Sequence, residues 1–418
     1  MKLQNSHLYT SFLFGLLLPF STALSNVALI GFYFAVALLV LLKKSTFQKN
    51  NIHLLKYSSI ALFLLCFLSI IVTKDYGVTF NMMGRRITYL LTPLVFLFLS
   101  KDSLFDVKKT ALKGLFLGSL LSAVLLLSKN FIFYFATRPF LGFDNELLNF
   151  YHTGFQFAVT VGIHPSYLGV YYLFGLGFLS FYNQIKNNIF KIASGLVLIL
   201  AIVFLASRAV YILLISMLFI ALWVKLKNTF QSKLTARLVF FFGVLILSLM
   251  AVMLFKNTYL YDRVTKEAAW ELTQNVNENF NAHTKSDSRA ARWDVGIQLF
   301  LNKPFFGYGA GNEKKILTEA YLENGLIYAA QNKYDTHNQY LSYMLEFGVI
   351  GLLLFMYFLF FNLKHALRTK EILPSFFIIS IAFIGFVENF FNNNVGITFI
   401  AFFGTVFLFS NSYLLNKK

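Results

Sequence analysis

The chain has 418 residues, of which 57% are hydrophobic and only 13% are charged. Its apolar residues form runs long enough to cross the roughly 30 Å hydrocarbon layer of a bilayer as helices, which excludes an ordinary soluble domain. The formal net charge of +18 would indicate nucleic-acid binding in a soluble protein, but in a membrane protein it first reports topology. The single cysteine, Cys66, excludes an intrachain disulfide.

Twelve apolar segments are predicted to span the membrane, in the order 8–23, 26–42, 57–73, 87–100, 111–128, 163–182, 190–206, 209–225, 236–255, 338–361, 373–390 and 394–415. Helices satisfy their own backbone hydrogen bonds and can therefore face lipid. We interpret the first two segments as a retained hairpin and not as a cleaved signal peptide, because the second follows almost at once. The fourth is short and contains Pro93, which leaves its ends poorly defined. The predicted fold class is an all-α polytopic membrane protein.

The basic residues predict the orientation of the chain. With the N-terminus inside, the inner segments hold more than half of the 36 basic residues but few of the 18 acidic ones, as the positive-inside rule requires. Both termini are then cytoplasmic, and the longest outer segment is 256–337. We expect one integrated domain, with nine helices in 1–255, a partly helical outer loop at 256–337 and three helices in 338–418.

The middle of this loop predicts a capped helix. Ser286-Asp287-Ser288 offers N-caps, a helix follows from Arg289, and Asn302-Lys303-Pro304 ends it. Arg289 and Arg292 lie one turn apart at the helix N-terminus, where free N–H groups already favour an anion. Guanidinium groups suit phosphate oxygens, although the same arginines could be solvated or lie among lipid headgroups.

The end of the loop places a histidine at the start of a predicted span. Phe305–Asn312 contains three alternating glycines, which allow a tight backbone close to a ligand or another helix. Asp335 or Thr336 is expected to cap the helix that follows, so His337 lies beside a positive helix end. There it could take a proton from a hydroxyl, or it could be a polar interfacial residue without chemistry. Gly348 and Gly351 follow deeper in the span, where small residues let helices approach closely.

Other polar residues lie near the outer ends of predicted spans. Arg208 is costly there unless it is paired or lines a cavity. Arg85 and Arg86 precede the fourth span on the outer side and are candidates for an anionic ligand. His164 either lines a cleft or begins an interfacial helix, and Glu388 could pair with an arginine or orient the loop histidine.

In four stretches the sequence resembles the bacterial O-antigen ligase and O-antigen polymerase superfamily. The most specific is His337-Asn338, then nine residues, then Gly348-x-x-Gly351. The predicted hydropathy layout matches over essentially the whole chain. The other three stretches are Ser207-Arg208, Arg289-x-x-x-Trp293 leading to Pro304–Asn312, and Glu388–Gly396.

The resemblance implies a metal-independent, cofactor-free glycosyltransferase of the membrane-embedded GT-C type in the bacterial inner membrane. Its donor would be a glycan linked to undecaprenyl diphosphate, used at the periplasmic face. A ligase transfers that glycan to lipid A–core, whereas a polymerase extends it with a second lipid-linked unit. By the same resemblance His337 would be the general base, while Arg208 and Arg289 would bind the diphosphate. Supporting substrate-binding roles would fall to Arg292, Arg85, Arg86 and Glu388, while His164 is a further substrate-binding candidate to which the resemblance assigns no role.

Ligase activity is the preferred hypothesis, and polymerase activity stays open because nothing in the residues separates the two. A transporter is a third hypothesis. It is disfavoured because the polar residues cluster towards the outer leaflet, whereas a transport path needs them near the midplane. The expected partners are the lipid-linked donor, the acceptor and membrane lipids, with no nucleic acid.

Overall fold

The computed structural model describes residues 5–137, 145–182, 184–230, 258–281 and 284–415, with isolated positions between 232 and 256. Most of the ninth predicted span, 236–255, lies outside the described residues. Contacts divide the chain into two compact units. Unit 1 contains Met1–Leu18, Thr22–Ala111 and Glu267–Lys418, and unit 2 contains Pro19–Ser21 and Leu112–Lys266.

The described residues are mostly helical. The first nine α-helices are α1 (Ser6–Leu17), α2 (Thr22–Leu41), α3 (Ile60–Val72), α4 (Tyr76–Phe96), α5 (Lys101–Ala136), α6 (Gly154–Ala158), α7 (Pro165–Phe181), α8 (Asn188–Leu205) and α9 (Arg208–Thr229). The others are α10 (Tyr259–Val264), α11 (Lys266–Glu271), α12 (Arg289–Asn302), α13 (Glu313–Glu323), α14 (Ile327–Gln331), α15 (Gln339–Thr369), α16 (Ile372–Ile384) and α17 (Asn394–Leu415). Two 3₁₀ helices cover Lys49–Tyr57 and Asn145–Leu148, and strands β1 (Glu278–Asn281) and β2 (Thr284–Ser286) form an antiparallel pair.

Six of the described helices are long and apolar enough to cross a membrane, namely α2, α5, α8, α9, α15 and α17. A seventh span is possible if the 3₁₀ helix Lys49–Tyr57 and α3, which meet at 60°, count as one. The chain is therefore an all-α polytopic membrane protein, while the count of twelve spans and the GT-C type stay predictions.

Helix α17 is the centre of unit 1. Its membrane-length segment is buried throughout, which suits a helix that is apolar on all sides. The ring of Phe402 lies 4.6 Å from that of Phe14 and 5.3 Å from that of Phe32. Phe96 of α4 packs against the same ring at 5.6 Å. Aromatic rings thus join α17 to helices α1, α2 and α4 at one point of the core.

Helix α7 has the central position in unit 2. Nearly all of its residues are buried, and it packs against α8 and α9. A Cβ added to Gly169 would lie 2.7 Å from two methyl carbons of Val210 on α9. The missing side chain therefore allows α7 and α9 to approach closely, as small residues do between helices in membranes.

Helix α4 begins eleven residues before the predicted fourth span, and this corrects the sequence prediction. Asp75 caps it by accepting a hydrogen bond from the backbone N–H of Val78 at 3.2 Å. Thr79 donates to the carbonyl of Ala310, so the polar first half of α4 packs against the glycine-rich segment. Hydropathy alone would assign these polar residues to a loop. Arg85 and Arg86 lie inside the helix, and not before it.

A break in α15 receives the glycine-rich segment. Gly348 has φ 66° and ψ −158°, which interrupts the helix. Across this break the N–H groups of Tyr308 and Gly309 donate to the carbonyls of Leu345 and Glu346 at 2.8 and 2.9 Å. The N–H of Val349 donates to the carbonyl of Pro304 at 2.7 Å. The glycines expected to allow close approach of another helix instead allow a loop to dock against α15.

Candidate active site

The predicted helix in the large loop is α12, and its start agrees with the prediction. Ser288 caps it by accepting from the N–H of Ala291 at 3.3 Å. Arg289 and Arg292 lie in the first turn and share one acidic neighbour, Glu271 of α11. The side-chain nitrogens lie 3.6 Å and 3.9 Å from its carboxylate oxygens. Two arginines against one carboxylate leave the cluster with a net positive charge.

Several donor atoms of this arginine pair make no hydrogen bond among the described residues. They are Nε of Arg289 and Nε and Nη1 of Arg292, all of them buried. The Arg292 guanidinium lies over the ring of Tyr334, 5.0 Å from its centroid. Burial lowers the pKa of Arg292, and Glu271 opposes that shift. Buried donors without acceptors are costly, so an anion brought to this place would satisfy them.

His337 lies immediately before α15, in a left-handed backbone conformation with φ 46°. Its N–H donates to Oδ1 of Asp335 at 3.0 Å. The expected cap was wrong, because Asn338 caps α15 by accepting from the N–H groups of Tyr340 and Leu341. The N–H groups of the first turn of a helix need acceptors, and in α15 Asn338 accepts from two of them while the carbonyl of Gly385 accepts from the N–H of Gln339 at 2.7 Å.

Two carboxylates flank the imidazole ring of His337. Its Nδ1 lies 3.5 Å from Oδ1 of Asp335 and 3.5 Å from Oε2 of Glu388. The ring also meets the edge of Tyr334, with centroids 5.9 Å apart. About a quarter of the His337 side chain is exposed, whereas Glu388 is buried. The sequence-based idea that Glu388 orients His337 agrees with this geometry.

The arginine pair and the histidine lie in one place within unit 1. Nη1 of Arg289 donates to the carbonyl of Val387 at 3.2 Å, one residue before Glu388. Tyr334 contacts both the Arg292 guanidinium and the His337 ring. The indole N–H of Trp293 on α12 donates to the carbonyl of Thr336 at 2.8 Å. Helix α12 is thereby held directly against the turn that carries His337.

Arg86 lies in a different environment from the one expected. It is fully buried, and its Nη2 donates to Glu346 and to Asn392, both at 2.6 Å. Glu346 in turn accepts from the N–H of Gly311 at 2.7 Å. The ion pair therefore joins α4, α15 and the glycine-rich segment from the inside. Arg85, the next residue along α4, is exposed.

His164 and Arg208 belong to unit 2. The Nδ1 of His164 caps α7 by accepting from the N–H of Ser166 at 3.2 Å, which agrees with the reading of a helix start. The hydroxyl of Ser166 lies 3.1 Å from that of Ser207. Arg208 is the first residue of α9 and is half-buried. Whether Arg208 acts together with Arg289 stays a prediction.

Sequence reasoning missed three acidic residues of unit 1. Glu346 had a usable signal, because a lone acid inside an apolar span is expensive and needs a partner. Glu271 and Glu313 had none, since each lies in a polar stretch where carboxylates are ordinary. Glu313 is buried at the start of α13, and burial raises its pKa to about 7. The nearby charges of Asp335 and Glu346 add to that increase.

These features define a polytopic helical membrane protein with a histidine held between two carboxylates, next to a pair of arginines. The O-antigen ligase family model matches residues 193–356, and this confirms the resemblance to the O-antigen ligase and polymerase superfamily. The matched range includes Arg208, Arg289, Arg292 and His337. Members of this family are glycosyltransferase-like enzymes, either ligases or polymerases. A comparison with curated proteins gives no match.

Proposed function

We propose that the protein transfers a glycan from undecaprenyl diphosphate to an acceptor hydroxyl at the periplasmic face of the bacterial inner membrane, as an O-antigen ligase with lipid A–core as acceptor. The observation that carries the proposal is the position of His337, between two carboxylates and beside the Arg289–Arg292 pair. The match to the O-antigen ligase family supports the same class of reaction.

In the proposed reaction His337 removes the proton of the acceptor hydroxyl. Both carboxylates approach Nδ1, so that side of the ring is oriented and stabilised when the imidazole becomes charged. The Nε2 side then faces the acceptor. The acceptor oxygen attacks the anomeric carbon, the bond from that carbon to the phosphate oxygen breaks, and undecaprenyl diphosphate leaves.

The arginines neutralise the negative charge that develops on the leaving diphosphate. A diphosphate is a good leaving group when its developing charge is neutralised by fixed donors. Arg289 and Arg292 have buried donor atoms that make no hydrogen bond among the described residues, and guanidinium forks match phosphate oxygens. Arg208 also lies in the range that matches the family, and we propose that it binds the same diphosphate. Metal independence, the twelve-span topology with both termini cytoplasmic, and direct contacts of Arg85 and His164 with substrate are part of the proposal.

The test is transfer by purified protein in lipid nanodiscs, with lipid-linked glycan as donor and rough lipopolysaccharide as acceptor. Because a positioned general base contributes about 10²–10⁴-fold, His337→Ala should lower turnover by at least about 100-fold. His53→Ala is the matched control, since His53 is exposed and lies outside the matched range. Undiminished transfer by His337→Ala would refute the assignment.

The same assay separates the alternatives. A polymerase would leave rough lipopolysaccharide unmodified and join two lipid-linked glycans. A transporter would move substrate across liposomes without releasing undecaprenyl diphosphate.

A further inference from the structure

The carboxylate of Glu313 collects hydrogen bonds from two segments that border the candidate active site. Its Oε1 accepts from the N–H and the hydroxyl of Thr336 at 3.0 and 2.8 Å. The amide of Asn389 donates to both carboxylate oxygens, at 3.0 and 3.1 Å. The hydroxyl of Ser342, in the first turn of α15, also donates to it. One side chain thus joins α13, the turn before α15 and the segment after α16.

Two of the residues that donate to Glu313 are direct neighbours in sequence of the proposed general base and of the carboxylate beside it. Thr336 directly precedes His337, and Asn389 directly follows Glu388. The carboxylate of Glu313 therefore links the segment that carries His337 to the segment that carries Glu388. A shift of either segment would change the 3.5 Å separation between the imidazole and Glu388.

The backbone of His337 needs such support. A residue other than glycine with φ 46° occupies an uncommon region, and such conformations cost about 1–3 kcal/mol and persist only where the surroundings hold them. The N–H of Thr336 donates to Glu313, and the N–H of His337 donates to Asp335. These bonds fix the two peptide groups that precede the Cα atom of His337. The strain is consistent with a ring that must point in one direction.

Stability alone does not account for Glu313. It is 4% exposed, and among the described residues no lysine, arginine or histidine nitrogen lies within ion-pair distance of it. A buried carboxylate pays a desolvation cost that apolar packing would avoid. What the carboxylate adds is a fully occupied polar network, which fixes a unique local geometry.

We propose that Glu313 is a positioning residue of the transferase, which holds His337 and Glu388 at their working separation through Thr336 and Asn389. This inference rests on the proposed function of His337. Glu313 itself does not touch the substrate.

The kinetic test uses three variants in the nanodisc assay. Because a misplacement of about 1 Å can cost about 100-fold, Glu313→Ala should lower kcat by about 10–100-fold and leave the KM for the donor unchanged. Glu313→Gln keeps the volume and one acceptor oxygen, and it should restore most of the rate. Glu319→Ala is the control, since Glu319 is exposed on the same helix. A wild-type kcat for Glu313→Ala overturns the proposal, and so does a loss that Glu313→Gln fails to restore.

A spectroscopic test does not depend on turnover. In protein labelled with ¹⁵N-histidine, the His337 ring signals are assigned by their absence in His337→Ala. They should shift or broaden in Glu313→Ala and in Asn389→Ala, and stay unchanged in Glu319→Ala. Unchanged signals in Glu313→Ala overturn the proposal. Should Glu313→Ala fail to fold, the ring signals should still shift in Asn389→Ala and stay near their wild-type positions in Glu313→Gln. Unchanged signals in Asn389→Ala then overturn the proposal.

The two failures are distinguishable. Normal transfer by His337→Ala refutes the proposed function, while the ring signals still decide whether Glu313 positions the histidine. Lost transfer by His337→Ala together with a normal Glu313→Ala refutes only the positioning role.

Discussion

Replacement of Gly348 by alanine should destabilise unit 1 strongly, because two independent penalties coincide at this residue. Its backbone has φ 66° and ψ −158°, a combination that essentially only glycine adopts. A Cβ at this position would also lie 2.3 Å from the carbonyl carbon and oxygen of Phe305. Both atoms belong to backbone, so no side-chain rotation relieves the clash.

The size of the effect follows from the contacts around the break. The backbone conformation costs an alanine about 1–3 kcal/mol. Displacement of the glycine-rich segment breaks three hydrogen bonds, from Tyr308 to Leu345, from Gly309 to Glu346 and from Val349 to Pro304. At about 1 kcal/mol each, these losses bring the total to about 4–6 kcal/mol.

The free energy of unfolding can be measured by SDS titration in mixed micelles. Gly84→Ala is the matched control, because Gly84 lies in helix α4 and a Cβ there meets no atom within 4 Å. Alanine favours helix, so Gly84→Ala should gain up to about 1 kcal/mol. Unfolding of Gly348→Ala at the wild-type SDS concentration would refute this prediction, because it would show that the docking of the glycine-rich segment does not depend on the break in α15.

Two further substitutions test the interior of unit 1. Arg86→Met should cost about 3–5 kcal/mol because it leaves Glu346 buried without its cation. The double variant Arg86→Met/Glu346→Gln should recover much of that loss in the same titration, and purely additive losses would contradict the ion-pair account. Asn338→Ala removes the cap that accepts from Tyr340 and Leu341 and should cost about 1 kcal/mol. Asn338→Asp should keep the cap, and equal unfolding of the two variants would show that capping is not its role.

Local sequence patterns predicted some features of the site correctly. The Ser-Asp-Ser sequence before Arg289 predicted the start of α12, since capping needs only the residues next to the helix. The same reasoning missed the start of α4, because Thr79 and Arg86 look like loop residues until their tertiary partners are known. It also chose the wrong cap for α15, where Asp335, Thr336 and Asn338 compete for one role.

The sequence by itself determined the class of the protein. Hydrophobic runs, the distribution of basic residues and the spacing from His337 to Gly348 are local or additive properties, and they are read without coordinates. The tertiary structure alone decided which polar groups meet. Glu313 contacts Thr336 and Asn389, and Arg86 contacts Glu346, across separations of 23 to 260 residues. A buried charge is stable only where the fold brings it a partner, and no local pattern records which distant residue that is.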